Sequence, residues 1–225
     1  MSGLEIRHKQ QLHLFRWFML LVLVGALGVY GFYGLRWYRT GEPSPVPLPF
    51  AIADASVEQA KVTREDLQSH TVAPAEPRFL LLDDFLISAR VQKAGLDERK
   101  MFTMPTNLDD VVWYEKSAVP GSGVGAVIIS GRNVGIERDG TFSKLRQLAK
   151  QDVIKIERGD GEIIRYEVRS IQEETLEDVN KTGMTQMMTS LDPAKEGLSL
   201  ITDSGNWIPS QKEFDKRIIV RAVAK

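Results

Sequence analysis

From Arg78 onward the chain is a succession of short apolar runs separated by turns, a texture that leaves little room for long helices. Candidate strands are Arg78–Leu82, Ser88–Gln92, Met101–Met104, Val111–Tyr114, Ala126–Gly131, Asp152–Arg158, Glu162–Ile171, Leu198–Thr202 and Ile218–Ala222. Between two alternating runs, Arg158-Gly-Asp-Gly161 is a hairpin signal. Ser143–Leu148 has room for a helical turn or two. Many short strands at regular spacing predict an all-β domain, either a closed barrel or a sandwich. Within it, Val127-Ile128-Ile129 is continuously apolar, as expected of a strand buried on both faces. Leu198 to Asp203 forms a second such run, expected to be a short strand whose last residue, Asp203, emerges at a barrel rim or sheet edge. Arg132 and Asp203 thus end two strands about 70 residues apart, which points to a site assembled from distant segments.

The N-terminal part differs. Trp17 to Leu35 contains no charged side chain, and at about 1.5 Å per residue its length crosses a hydrocarbon core of roughly 30 Å. Aromatic residues flank it at both ends (Phe15, Trp17, Phe18; Tyr30, Phe32, Tyr33, Trp37, Tyr38), as interfacial anchors do. Apolarity on all sides argues against a core helix. A cleaved signal peptide would have a hydrophobic region of about 7 to 15 residues with a small-x-small site close behind, and no such site follows. Residues 17–35 are therefore expected to be a single-pass anchor, with residues 1–16 as a short cytoplasmic arm and the C-terminal part outside. Gly41 to Pro49 carries proline at every second position from Pro43, which favours extended polyproline geometry. A short helix is expected within Ser56–Ser69, on a weak stripe of Val57, Ala60, Arg64 and Leu67. Residues 36–76 are thus linker and residues 77–225 the folded domain, with Ala73-Pro-Ala-Glu-Pro77 at the boundary.

Composition excludes more than it supplies. With no cysteine there is no disulfide, thiolate metal site or cysteine nucleophile. Only three histidines occur, His8, His13 and His70, and none lies in the strand-rich part, so neither a histidine zinc site nor a Ser-His-Asp triad can be assembled there. The net charge of −1 gives no reason to expect nucleic acid as a partner. Asp83-Asp84 and Asp109-Asp110 lack calcium-loop spacing, and no cofactor or metal is expected. Gly121-Ser-Gly-Val-Gly125 resembles a phosphate loop but lacks the following Lys-Ser/Thr, and Arg158-Gly-Asp160 belongs to the hairpin. Met184, Met187 and Met188 fit core packing or an adaptable apolar surface.

From Pro77 to the C-terminus, about two-thirds of the chain, the order of motifs resembles a sortase domain, closest to the class E and class F type. The matching pieces are Pro77-Arg-Phe-Leu-Leu-Leu82, Met104-Pro105, Val112-Trp-Tyr114, Ser117-Ala-Val-Pro-Gly121, Gly125-Ala-Val-Ile-Ile-Ser-Gly131, Gly140-Thr-Phe142, Leu145-x-x-Leu148 and Gln151-Asp152. Leu198-Ser-Leu-Ile-Thr202 and Lys216-Arg-Ile-Ile-Val-Arg-Ala222 complete the set. The resemblance implies a closed eight-stranded β-barrel and a membrane-anchored transpeptidase of bacterial cell surfaces. It also implies three site positions. The histidine that follows the central strand is matched by Arg132, the nucleophilic cysteine by Asp203, and the arginine of the last strand by Arg217.

A carboxylate attacks amides poorly, and a guanidinium, always charged near neutral pH, cannot shuttle protons. The altered site is therefore expected to lack cysteine transpeptidation, with Asp203 bridging Arg132, Arg217 or both. Ser130, Thr202 and Ser204 are candidates to line the same cleft. Ser204 is also a conceivable hydroxyl nucleophile, with no base candidate beside it in the sequence. The function implied is a membrane-anchored, sortase-like surface protein that binds or scaffolds an extended peptide or cell-surface protein. A divergent hydrolase using non-cysteine chemistry at the same cleft is the alternative.

Overall fold

The computed structural model describes residues 3–41, 58, 60–98, 102–135 and 137–225. Helix α1 spans Gly3–Thr40 and belongs to one compact unit together with Ile208–Glu213, while the rest of the folded domain belongs to a second. It is longer than the charge-free stretch at both ends, because Leu, Gln, Lys and Arg before Trp17 and the residues just after Leu35 are compatible with helix. Its segment from Phe15 is long and apolar enough to cross a membrane. Large apolar side chains such as Trp17, Leu21 and Leu27 lie exposed along it, as a lipid-facing helix requires. The proline-rich stretch beyond Gly41 lies outside the described residues.

A second helix, α2, is confined to Arg64–Ser69. Thr63 starts it with a capping box: its side chain accepts from the Asp66 amide, while the Asp66 carboxylate accepts from the Thr63 amide at 2.8 Å. The helix expected over Ser56–Ser69 is therefore shorter. Its first positions include residues outside the described set, and Ala60 to Val62 are not helical. The cap, rather than the apolar stripe, fixes the start.

The remaining chain closes into a barrel of eight strands: β1 Pro77–Leu82, β2 Ile87–Ala94, β3 Val111–Tyr114, β4 Ala126–Gly131, β5 Val153–Arg158, β6 Ile163–Thr175, β7 Gly197–Ile208 and β8 Glu213–Ala224. Their order around the barrel is β1-β2-β3-β4-β7-β8-β6-β5, with β5 returning to β1. The β2–β3 and β4–β7 pairs are parallel, so each needs a long connection. The hairpin at Arg158 closes through the Arg158 amide on the Glu162 carbonyl at 2.9 Å. Ser143–Leu148 contributes one 3-10 turn, Leu145–Gln147.

Two expectations are corrected. Met101–Met104 is not a strand: Met101 lies outside the described residues, and Phe102 makes only an isolated bridge to Leu96. The Thr103 carbonyl is taken by the Ser130 hydroxyl at 2.8 Å instead of by a neighbouring strand. Strand β7 does not stop at Asp203 but continues to Ile208, so Asp203 is an interior strand residue and is buried. Pairing with the long β8, not side-chain apolarity, carries the strand through its polar residues.

Alternation along the strands separates two apolar clusters. Val127, Ile129, Leu198, Leu200, Ile218 and Val220 face the barrel interior with Phe142 and Tyr166. Ile128, Ile201 and Ile219 face outward against Val179 and Met187. These last two come from consecutive helical turns, Leu176–Asp178, Val179–Gly183 and Met184–Met188. Met187 is thus core, Met184 packs against it, and Met188 is exposed.

Candidate functional site

The outward face of β4, β7 and β8 leads directly to the candidate site. In the parallel β4–β7 register, Ser130 pairs with Ile201 and Gly131 with Thr202. One residue further along each strand, Arg132 and Asp203 therefore follow Ser130 and Ile201 onto the outer face. On β8, Arg217 lies two residues before Ile219 and shares its face. All three side chains converge. The Asp203 carboxylate lies 3.5 Å from Arg217 Nη1 and 3.9 Å from Arg132 Nη1. The Asp203 and Arg217 side chains are each 7% exposed and that of Arg132 16%. These distances make ion pairs but exceed the 2.7–3.2 Å typical of N–H···O hydrogen bonds.

Each arginine also has backbone acceptors. Arg217 Nη1 donates to the Phe214 and Lys216 carbonyls at 2.9 Å, and Arg132 Nε donates to the Pro105 carbonyl at 3.3 Å. Two glycines fix the backbone at Arg132. A Cβ on Gly131 would meet the Phe142 ring at 2.6 Å, and one on Gly140 would meet the Arg132 carbonyl oxygen at 2.3 Å. The Phe142 amide in turn donates to that carbonyl at 2.9 Å. This packing gives the Gly140-Thr-Phe142 motif its physical reason.

The other cleft candidates divide between the two faces. Ser130 shares the outer face and donates to Thr103. Thr202 turns inward and its hydroxyl donates to the Gly131 carbonyl at 2.8 Å. Ser204 also faces away from Asp203, and the structure gives it the base candidate absent from its sequence neighbourhood: its hydroxyl donates to Glu173 Oε1 at 2.6 Å. Arg146 donates to Ser204 Oγ at 3.0 Å and pairs with Glu173. The Ser204 hydrogen bond, followed by Arg146 and Lys216, holds the Glu173 carboxyl below its ordinary range, which weakens it as a base. No local motif marks Glu173 or Arg146, since they lie 31 and 58 residues from Ser204.

Among the described residues, no group of three or more metal-ligating side chains is placed to hold an ion. Asp109 accepts from the Val62 amide and pairs with Arg138, Asp110 is held by Arg90 at 2.8 and 2.9 Å, and Asp83 pairs with Lys155. The glycine-rich turn does bind an anion, but one from its own chain. Buried Glu196 accepts from the Gly121 amide at 3.1 Å, the Gly123 amide at 2.9 Å and the Ser122 hydroxyl at 3.0 Å. It also accepts from the Tyr166 hydroxyl, whose proton is held more tightly than usual because burial and the adjacent carboxylate disfavour the phenolate.

Comparison with known proteins agrees with this architecture. Sortase A of Corynebacterium diphtheriae, a lid mutant, aligns over 72% of this chain and 76% of its own at 22% identity, with a TM-score of 0.50. Sortase C-1 of Actinomyces oris (formerly Actinomyces naeslundii) covers 75% and 89% at 18% identity and 0.50. The lid mutant of Streptococcus agalactiae sortase C1 covers 73% and 76% at 14% identity and 0.50. No curated protein matches the sequence. At these identities the structural matches speak for the fold alone. The sortase domain model matches residues 83–225. Carried by that match over more than half of its length, and with no cysteine anywhere in its sequence, this chain belongs to the sortase family.

Proposed function

We propose that this is a sortase-family protein of the class E or class F type whose cysteine and histidine positions are taken by Asp203 and Arg132, with Arg217 at the arginine position. It acts as a binding or scaffolding module for an extended peptide or cell-surface protein. α1 anchors it in a bacterial cell membrane with the barrel outside. The observation that carries this reading is the convergence of Arg132, Asp203 and Arg217 on one barrel face, in a chain without a thiol. No thioester can form on such a chain. An aspartate between two arginines keeps an anion–cation layout like that of a thiolate beside an imidazolium, while removing the soft nucleophile and the proton carrier.

The alternative, a hydrolase with non-cysteine chemistry, has one observation in its favour: the Ser204–Glu173 hydrogen bond. Against it, that hydroxyl faces away from Asp203, and the Glu173 carboxyl is held low.

The test uses the full chain in detergent with a mixed library of sorting-signal-like peptides, scoring cleavage, transfer and binding. The wild type is expected to bind without turnover. An Asp203→Cys/Arg132→His double variant is expected to cleave or transfer. Turnover by the wild type would overturn the non-enzymatic reading, and Ser204→Ala would then tell whether Ser204 carries it. Absence of both binding and restored turnover would confine the resemblance to the fold.

A further inference from the structure

The connection between β2 and β3, Gly95–Asp110, carries the Pro105 carbonyl that receives Arg132 and the Thr103 carbonyl that receives Ser130. Among its described residues the only ladder contacts are two isolated bridges, Leu96 to Phe102 and Asn107 to Glu58. The second comes from outside the barrel strands, from the segment that leads in from the membrane linker.

The described residues of that segment, Glu58 and Ala60–Val62, are gripped through the backbone at 58, 60 and 62. The Glu58 amide donates to the Thr106 carbonyl at 2.8 Å, and the Leu108 amide donates to the Glu58 carbonyl at 3.3 Å. The Ala60 carbonyl accepts from Asn107 Nδ2 at 3.0 Å and from Arg138 Nη2 at 3.1 Å. The Val62 amide donates to Asp109 Oδ2 at 2.8 Å. Alternation at 58, 60 and 62 is the signature of an extended chain held on one edge. Glu58, Ala60 and Lys61 are exposed, so hydrogen bonds rather than apolar burial hold them. The side chains that grip the segment are also tied to the site wall. Asn107 Oδ1 accepts from the Asp109 amide at 2.8 Å, Arg138 pairs with Asp109 at 2.6 Å, and the Leu108 carbonyl accepts from both the Thr141 amide and hydroxyl. Thr141 adjoins Phe142, whose amide holds the Arg132 carbonyl.

We infer that Glu58 and Ala60–Val62 form a detachable strap that orders the 103–109 loop and thereby positions Arg132 against Asp203, so that the state of the membrane-side linker controls opening of the candidate site. The inference rests on the assignment of Arg132 and Asp203 as that site. Because its hold consists of a few hydrogen bonds to exposed backbone, the strap belongs to the part of the fold that opens first. Its release removes the ladder of the loop and leaves the Pro105 carbonyl free to move away from Arg132.

The absence of cysteine gives a clean reporter. Asp203→Cys in the full-length chain, in detergent micelles, places one thiol at the site, and its alkylation rate by iodoacetamide reads opening. Asn107→Ala/Arg138→Ala removes both side-chain donors to the Ala60 carbonyl and the arginine that pairs with Asp109, the acceptor of the Val62 amide. Ser199→Cys, buried on the same strand and bonded to the Met187 carbonyl, serves as a second reporter away from the strap. The expected result is faster amide exchange at Glu58 and Val62, with alkylation at position 203 faster by about tenfold or more and alkylation at position 199 unchanged. Three results overturn the inference. The strap could exchange freely while alkylation at 203 stays constant. Both reporters could speed up together, which would mean general loosening of the barrel. Exchange at 58 and 62 could stay unchanged, which would show that Asn107 and Arg138 are not the grip. Peptide binding does not enter the readout, so failure of the binding assay and failure of the strap are told apart.

Discussion

Two buried carboxylates belong to the β7 region, Glu196 just before the strand and Asp203 within it, and they are held in different ways. Glu196, 2% exposed, sits among two backbone amides and two hydroxyls, with three contacts between 2.9 and 3.1 Å and a shorter one from Tyr166. Asp203, 5% exposed, lies at 3.5 and 3.9 Å from two guanidiniums carried on long side chains. The donors around Glu196 are short, three of them belong to one glycine-rich turn, and removing the carboxylate leaves the buried Tyr166 hydroxyl without its acceptor. The arginines around Asp203 keep backbone acceptors of their own, at Phe214, Lys216 and Pro105. Glu196 is a fixed joint between the β3–β4 turn and the start of β7. Asp203 is a meeting point of side chains that can exchange acceptors, as the proposed binding role requires.

The sharpest test of this contrast is Glu196→Ala. It removes four hydrogen bonds to one carboxylate, each worth roughly 1.5–3 kcal/mol when the acceptor is charged and less for the donors of the exposed turn, and it leaves the Tyr166 hydroxyl unsatisfied in the interior. A loss of about 4 kcal/mol is expected, read from the midpoint of chemical denaturation of the barrel. Asp203→Ala leaves two guanidiniums without their carboxylate but with carbonyl partners. Its cost is expected at about 2 kcal/mol, below the 3–5 typical of a buried pair broken from one side. If Asp203→Ala costs more than Glu196→Ala, then Asp203 is the structural carboxylate and the contrast is reversed.

How much of this was legible differs between the same two places. Eight of the nine candidate strands exist, because alternation and turn residues such as Gly161 act over a few neighbours. Met101–Met104 failed because a strand needs a partner, and here a side chain, Ser130, took the carbonyl that a partner would use. The length of β7 was hidden for the converse reason, since a polar run becomes strand when β8 pairs with it. Arg132, Asp203 and Arg217 stood out as the ends of apolar runs in a known order of motifs. Glu196 did not, although the glycine-rich turn was visible, because nothing local says that a residue more than 70 positions away fills it. The strap residues were expected to be helical, and their hydrogen-bond partners lie 47 and 78 positions distant. Long-range partnerships of polar atoms leave no periodicity behind.

The smallest expected effect separates the two faces of β7. Ser204→Ala removes the hydrogen bond that contributes most to holding the Glu173 carboxyl below its ordinary value of 4.5. A carboxyl depressed in the folded state adds stability above the unfolded value, and that stability is lost as pH falls through the folded one. The wild-type advantage over Ser204→Ala is therefore expected to be constant at neutral pH, to shrink as pH drops below about 4.5, and to level off at its pH-independent part, the lost Arg146–Ser204 bond, once Glu173 is protonated in both proteins. Ser204 and Asp203 are adjacent in sequence but share no described partner, Glu173 and Arg146 serving one and Arg132 and Arg217 the other. Denaturation of the Asp203→Ala/Ser204→Ala double variant should therefore show additivity within about 0.5 kcal/mol. A larger coupling would mean that the strand transmits the state of one face to the other. The Ser204–Glu173 pair would then belong to the same site as Asp203, and the hydrolase reading would gain the connection it lacks.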